Sequence, residues 1–290
     1  MFERVLVVAP HPDDDAIACS GLLQRAREVR VLFVTDGERN PWPQHFRYRK
    51  LFIDANDRAR WAAVRRAEAR NAMARLGLSD DCARFLGFAD QSLMSSARRG
   101  DRALLDALEG EIREFQPALI VSPSSFDAHY DHRAIAWYVH QVVYDKLSAC
   151  RDEARHDKLR ACRTPPLPIV TYVVHGDGPQ SRVQFTIELT ADEQACKRDA
   201  IRCHESQLLL GRDRFLSYAT PREQFYRAEH DVVRVESWLE TMLKRVRHAW
   251  FVLFARRSHG ARPSRPQRAG VSPGREDQSP AGTLTCKGRR

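Results

Sequence analysis

The sequence contains no apolar run long enough to span a membrane. Its longest clean apolar run near the C-terminus covers residues 249–255, far short of the roughly 20 residues that a transmembrane helix requires. Residues 1–4 include an acidic side chain and lead directly into a strand-like segment, which is unlike a secretory signal peptide. We therefore expect a cytoplasmic protein.

Closely spaced cysteines are also lacking. The seven cysteines include no pair with CxxC spacing, and their number is odd. A Cys-type zinc site and a disulfide framework are both recognised by regular cysteine spacing. The scatter along the chain instead favours a reducing compartment with mostly buried or incidental thiols. No function is predicted for the cysteines.

Acidic residues are scarce only at the C-terminal end. Residues 256–290 hold nine Lys or Arg and two acidic residues, so they contribute +7 of the total formal charge of +9. This end is rich in Arg, Pro, Ser and Gly, and it cannot bury enough apolar surface to offset the entropy of ordering. We predict one domain over residues 1–257 and a disordered basic tail over residues 258–290. Because the charge belongs to the tail, we expect no specific nucleic-acid partner.

A helix predicted over residues 237–256 carries aromatic and basic side chains. Packing of this helix against the core is the preferred interpretation. Peripheral membrane contact through the helix or the tail is the alternative, because basic amphipathic helices lie in lipid interfaces. The oligomeric state is not predicted.

Short apolar runs alternate with helical spacings along most of the chain. Strands are predicted at residues 4–9, 28–35, 84–88, 118–122, 169–175 and 183–189, helices at 15–27, 58–76, 104–115, 133–146 and 191–210, a loop at 36–57 and a connection at 148–167. Buried strands that alternate with helices are typical of α/β proteins with a parallel sheet. We predict a Rossmann-like fold, with a mostly parallel sheet flanked by helices and the active site at the carboxyl ends of the strands.

Glycine is missing from the turn after the first predicted strand. Residues 10–15 read PHPDDD, whereas a pyrophosphate-binding turn needs glycines and free amide donors. Three carboxylates would also repel a phosphate unless a metal intervened. A nucleotide-binding Rossmann-like module without hydrolase activity is therefore kept only as the alternative function.

The same turn concentrates groups that bind metals. One imidazole and three carboxylates lie within residues 11–15, and the flanking prolines stiffen the backbone. Crowded carboxylates repel one another unless a cation lies among them, and a mixture of His and Asp suits zinc. A helix N-terminus that favours acids explains Asp14 and Asp15, but it does not explain the histidine at the end of a buried strand.

A second cluster, DAHYDH at residues 127–132, follows the predicted strand 118–122. Alone it is best explained as a solvated loop. However, the carboxyl ends of parallel strands lie at one edge of a sheet, so the two clusters can meet there. Together they can supply three protein ligands and leave one position open, which is the arrangement of a catalytic zinc. We predict one bound divalent metal.

The two clusters resemble motifs of the PIG-L/LmbE-like N-acetylglucosaminyl deacetylases. His11-Pro12-Asp13-Asp14 is similar to the first motif of that family, and residues 127–132 are similar to the second. Supporting likenesses are TDGE at 35–38, RRAE at 65–68 with LGL at 76–78, LGFAD at 86–90 and KRDAIRCHESQ at 197–207. The resemblance runs from about residue 4 to about residue 228. Pro10 and Asp15 depart from the usual Ala and Glu, and residues 40–57 form a longer stretch than expected.

This resemblance implies a zinc-dependent deacetylase, with Fe²⁺ as another possible metal. It would hydrolyse the acetamide of an N-acetylglucosamine-type conjugate, either a small molecule or lipid-linked, to acetate and the free amino sugar. By motif position, the resemblance implies the metal ligands His11, Asp14 and His132. It also implies Asp13 as general base and His129 as a cation facing the oxyanion. Asp131, two residues further on, could orient His129 and raise its pKa.

Two further residues, Arg65 and Asp90, match positions that face the sugar in the family. An exposed helix arginine paired with a nearby acid is an equally good interpretation. Residues 42–50 mix aromatic and basic side chains, which fits either a lid over the sugar or a plain surface loop. The other histidines, including His175 and His204, are predicted to be ordinary surface or core residues.

Overall fold

The computed structural model describes residues 2–146 and 167–228. It contains a seven-stranded sheet with the order β3-β2-β1-β4-β5-β7-β6. The strands are β1 Phe2–Ala9, β2 Ala26–Thr35, β3 Ala83–Phe88, β4 Leu119–Pro123, β5 Ile169–Tyr172, β6 Val183–Glu188 and β7 Arg222–Arg227. The first five strands pair in parallel, and β7 pairs antiparallel with both β5 and β6. The predicted α/β fold with a mostly parallel sheet is confirmed.

Helices cover both faces of this sheet. They are α1 Asp14–Ala18, α2 Ser20–Arg25, α3 Pro41–Tyr48, α4 Ala55–Arg75, α5 Leu93–Arg98, α6 Ala103–Phe115, α7 Tyr130–His140, α8 Ala191–Arg202, α9 Glu205–Leu208 and α10 Arg212–Leu216, with a π-helical stretch at Gln141–Lys146. Alternate residues of β1 enter two separate cores. Val5 and Val7 join the core that includes residues of α2, α4 and α8, whereas Leu6 and Val8 join the core with α5, α6 and α7. A central strand buried on both faces must be apolar throughout, as β1 is.

Local signals in the sequence explain where the longest helices begin. At α4, the side chain of Asp54 accepts from the backbone N–H of Asp57 and the Asp57 carboxylate accepts from Asp54 in return. Thr190 and Glu193 form the same reciprocal box at α8. Such boxes satisfy amides that otherwise lack partners in the first turn. The predicted helices therefore begin close to the observed ones.

The structure differs from the prediction in four places. Residues 36–57 were expected to form a loop but contain α3, which begins at a proline and in which the Asn40 side chain accepts from the backbone N–H of Trp42. The helix expected at 15–27 is broken at Cys19, and the helix expected at 191–210 is broken after α8. Strand β7 was not predicted, because its sequence REQFYR has few apolar residues.

Some expectations fall outside the described residues. The helix at 237–256, the domain boundary at 257, the tail at 258–290 and most of the connection at 148–167 cannot be compared with structure. The described residues all belong to one compact unit, and none of their helices is both long and apolar enough to cross a membrane. Among the described cysteines, Cys19, Cys82 and Cys203 are free thiols and Cys196 takes part in a disulfide bond.

A buried ion pair joins three elements beneath the sheet. The Nζ atom of Lys197 in α8 lies 2.9 Å from Oε1 of Glu223 in β7, and both side chains are about 99% buried, with 1% of each exposed. The same carboxylate accepts from the backbone N–H of Gly21, in the first turn of α2, at 3.0 Å. Because the site is fully desolvated, neither charge has water as a substitute partner.

We expect Lys197→Met to lower the free energy of unfolding by about 3–5 kcal/mol, because it leaves the Glu223 carboxylate buried without its cation. Urea unfolding measures the change. The matched control is Arg222→Met, which breaks an exposed pair with Glu188 and should cost at most about 1 kcal/mol. Equal losses of unfolding free energy in the two variants would show that burial does not increase the cost of breaking the Lys197 pair.

Candidate metal centre

The loops after β1 and β4 bring the two predicted clusters together. β1 pairs with β2 on one side and with β4 on the other, so the chain leaves these two strands in opposite directions and a crevice opens between them. The ring of His11 lies there, with its centroid 4.8 Å from that of His129 and 5.4 Å from that of His132. The prediction that side chains from two strand ends meet at one edge is met.

A single oxygen of Asp14 lies between two imidazoles. Its Oδ2 atom is 3.2 Å from Nδ1 of His11 and 3.2 Å from Nε2 of His132. Two ligands of a tetrahedral zinc at about 2.0–2.1 Å are separated by about 3.3 Å, so these spacings fit a metal. Neither ring nitrogen of the buried His132 makes a well-formed hydrogen bond within the described residues. The position of Asp14 Oδ2 between these two ring nitrogens therefore suits a divalent cation.

The electrostatics of this group also favour a positive charge. Burial alone disfavours a charged imidazole, but the Asp127 and Asp14 carboxylates outweigh it and raise the pKa of His132 to about 10. Burial acts against the Asp14 carboxylate in the same way, yet His132 and His11 hold the pKa of Asp14 well below its usual range. Excess negative charge in a buried site is balanced by protons or by a cation.

Two more carboxylates hold the outer nitrogens of these histidines. Oδ1 of Asp90 lies 3.3 Å from Nε2 of His11, and Oδ2 of Asp127 lies 3.1 Å from Nδ1 of His132. Metal-binding histidines commonly have a carboxylate behind them, which fixes the ring and raises its basicity. Asp90 is buried and also accepts from the backbone N–H of Arg39 at 3.0 Å. It is thus placed behind a candidate ligand, whereas its motif position suggested contact with the sugar.

Arg65 is buried and contacts the predicted general base. Its Nη2 donates to Oδ1 of Asp13 at 3.0 Å, and its Nη1 donates to the carbonyl of Gly37 at 3.2 Å. Gly37 has a φ of +62°, and a Cβ atom there would collide with the guanidinium. Burial raises the pKa of Asp13, and Arg65 opposes that rise. The exposed-helix interpretation of Arg65 is therefore wrong, and the arginine orients Asp13 beside Asp14.

His129 and Asp131 are arranged differently from the expectation. His129 caps α7, and its Nδ1 accepts from the backbone N–H of Asp131 at 3.2 Å. The Asp131 carboxylate accepts from the backbone N–H of Gln91 at 2.7 Å and lies 3.6 Å from Nε2 of His11. Burial, followed by the charges of His11, His132 and His175, lowers the pKa of His129 well below 6.5. This direction is opposite to the expected rise, because burial and then the charges of three neighbouring imidazoles disfavour the protonated ring.

Two residues in the centre had no predicted role. The ring centroid of His175, just after β5, lies 5.1 Å from that of His132 and 5.5 Å from that of His129. Ligand atoms of Asp14, His132 and His175 all lie within 4.8 Å of one another. The Asp127 carboxylate accepts from the backbone N–H of His175 at 3.1 Å, so it joins the β4 and β5 loops. The sequence offered one signal for His175: this histidine follows β5, the strand beside β4 in the sheet.

Comparisons with known proteins agree with the motifs. Residues 6–143 match the family described as PIG-L: GlcNAc-PI de-N-acetylase. Over 153 residues the chain is 31% identical to a probable N-acetyl-alpha-D-glucosaminyl L-malate deacetylase 2 of Bacillus subtilis (strain 168), covering 50% of this chain and 63% of that protein. It is 32% identical over 153 residues to a 2'-N-acetylparomamine deacetylase of Streptomyces fradiae, covering 48% and 52%. The matched part is less than two thirds of either relative.

Solved structures share the fold. An N,N'-diacetylchitobiose deacetylase from Pyrococcus horikoshii superimposes with a TM-score of 0.55 at 21% sequence identity, covering 77% of this chain and 82% of that one. At this identity the likeness concerns the fold alone.

Proposed function

We propose that this protein is a metal-dependent deacetylase, since residues 6–143 match the family described as PIG-L: GlcNAc-PI de-N-acetylase. Its reaction is hydrolysis of the acetamide of an N-acetylglucosamine-type conjugate, which yields acetate and the free amino sugar. The observation that carries the proposal is the buried group of His11, Asp14 and His132, with the Asp13 carboxylate next to it. The two relatives named as deacetylases of N-acetylated sugars support the substrate class.

The metal in this proposal is zinc, or another divalent ion such as Fe²⁺, held by His11, Asp14 and His132. When bound, it supplies Lewis acidity that polarises the acetamide carbonyl and makes a water molecule more acidic. Asp90 and Asp127 keep the two imidazole rings in place through their outer nitrogens.

Asp13 acts as the general base in this proposal. Its carboxylate takes a proton from water while the water oxygen forms a bond to the acetamide carbonyl carbon. The carbon–nitrogen bond then breaks, and the departing nitrogen takes the proton held by Asp13. The acetic acid that results gives its own proton to the amine, so the products are acetate and the protonated amino sugar, and atoms and charge balance. Arg65 keeps one oxygen of Asp13 engaged, which leaves the other for the water.

His129 stabilises the oxyanion as a neutral donor. Since its Nδ1 accepts a backbone hydrogen bond, the hydrogen of the neutral ring is on Nε2. That N–H is available to the developing oxyanion, where hydrogen-bond donors contribute most to the rate. Stabilisation of the oxyanion by His129 therefore does not require a charged imidazolium.

Replacing His129 by alanine should lower the turnover rate by about 10²–10³-fold, which is typical of the loss of one oxyanion donor. Metal content should not change. Acetate release and metal analysis of the same preparation measure both quantities. His45→Ala, at a partly exposed histidine of α3, is the control and should behave as the parent. Loss of metal from His129→Ala would instead make His129 a ligand.

The proposed function is tested by acetate release from a panel of N-acetylglucosamine conjugates. The panel should include the malate conjugate and N-acetylparomamine, with and without added zinc. Release of acetate from at least one conjugate, dependent on metal, is the expected result. No release from any conjugate by metal-loaded protein would contradict the proposal.

A further inference from the structure

One surface beside the candidate metal centre is strongly apolar. Helix α3 and the residues after it leave four large hydrophobic side chains in solvent, with exposed fractions of 66% for Trp42, 65% for Phe46, 84% for Leu51 and 87% for Phe52. They are half of the eight large hydrophobic side chains that are exposed in the described part of the chain, although they lie within eleven residues. We call residues 39–53 the apolar-basic surface.

The orientation of α3 is fixed by its polar side chains, which face the protein. The amide of Gln44 is buried and donates to the carbonyls of Glu38 at 2.7 Å and Asn40 at 2.8 Å. The ring of Tyr48 packs edge-on against the buried Trp61, with centroids 6.0 Å apart. A helix against solvent ordinarily turns its polar face outward. This one presents its aromatic side chains, and exposed apolar patches of this kind mark interaction sites.

The charge of the apolar-basic surface is of one sign. Residues 39–53 contain four basic residues and no acidic residue, and the four are Arg39, Arg47, Arg49 and Lys50. All four are exposed. Lys50 pairs with Asp57 at 2.9 Å and Arg39 with Glu38 at 3.6 Å, whereas no ion pair among the described residues involves Arg47 or Arg49. Trp and Phe next to Arg and Lys are the side chains that enter the headgroup region of anionic membranes.

We propose that the apolar-basic surface docks on an anionic phospholipid bilayer. The positive charge favours this occupant over a second copy of the chain, since a symmetric dimer through this surface would bring like charges together. The surface also adjoins the metal centre, because the backbone N–H of Arg39 donates to Asp90 and the Glu38 carboxylate accepts from the N–H of Asp90 at 3.1 Å. Docking therefore holds the crevice next to the bilayer. Membrane docking does not depend on the proposed deacetylase activity, so the two can be tested separately.

The test uses the full chain and two kinds of vesicle, phosphatidylcholine alone and phosphatidylcholine with phosphatidylglycerol. Sedimentation should show binding to the anionic vesicles. The double variant Phe46→Ser/Phe52→Ser, which keeps every charge of the basic tail, should bind at least about tenfold more weakly, because it removes two inserted apolar side chains. The matched control Leu209→Ser/Leu210→Ser removes two exposed apolar side chains elsewhere and should bind as the parent does.

A second readout locates the contact. Lipids brominated in their acyl chains should quench the fluorescence of Trp42, which is obtained as the difference between the parent and Trp42→Phe. Circular dichroism shows that each variant is folded. Equal vesicle binding by the parent and Phe46→Ser/Phe52→Ser would overturn the proposal in favour of binding through the tail. Failure to bind vesicles, with a dimer that the same variant dissociates, would overturn it in favour of a protein interface.

Discussion

Asp13→Asn is expected to lower the rate of acetate release by about 10²–10⁴-fold, the usual contribution of a general base, while the protein keeps its metal. The amide oxygen of asparagine can still accept from Arg65, which donates to Oδ1 of Asp13 at 3.0 Å. The local arrangement should therefore persist while the proton acceptor is lost. Asn is the better choice than Ala, because Ala would leave Nη2 of the buried Arg65 guanidinium without its acceptor.

Initial rates on the conjugate that the parent hydrolyses fastest, together with metal content, measure the effect of Asp13→Asn. A fall in the rate at saturating substrate, with an unchanged KM, indicates loss of a transition-state interaction. The control is Asp36→Asn, which alters another buried carboxylate, one that is paired with Arg66 and takes no part in the proposed chemistry. Loss of metal from Asp13→Asn would show that Asp13 and Asp14 have been given each other's roles.

His132→Ala is expected to abolish metal binding, from about one ion per chain in the parent to background, because a site with three protein ligands cannot spare one. Activity should be lost with the metal. A substitution behind a ligand should weaken metal binding less than the loss of the ligand itself. Asp127→Asn, which removes the negative charge behind His132 but leaves an amide in its place, should lower metal affinity by about 10–100-fold. Metal analysis after dialysis and a competition titration with a chromogenic chelator give both quantities.

His175→Ala, measured in the same experiment, tests whether His175 is a fourth metal ligand. If His175 only lines the crevice, its loss leaves the affinity near that of the parent, and a large loss would make it a fourth ligand. Full metal retention by His132→Ala would contradict the proposed ligand set in either case. Thermal melts of each variant exclude unfolding as the cause of metal loss.

The sequence allowed much of the fold to be predicted, because buried parallel strands are apolar throughout. β1 and β4 could be predicted for this reason, and the histidine and aspartate clusters follow them directly in the sequence. The antiparallel β7 was missed, since its residues REQFYR include charged side chains that lie at the surface. Helix α3 was missed because its exposed side is apolar and its buried side is polar, which reverses the usual pattern.

The candidate site was predictable where its residues belong to the two clusters at residues 11–15 and 127–132. Asp90 and His175 reach it from two other loops, and spacing along the chain does not show which side chains meet there. The pKa of His129 shows the same limit. One neighbouring acid in the sequence suggested an increase, but in space burial and three imidazoles lower it.

The most direct test of the central claim is to measure acetate and primary amine together in one reaction. Parent protein is stripped of metal, divided, and assayed with and without zinc on an N-acetylglucosamine conjugate. We predict equal amounts of acetate and amine with zinc, neither product without it, and a large loss of both in Asp13→Asn at full metal content. Equal turnover by the stripped and the zinc-loaded protein would contradict the account.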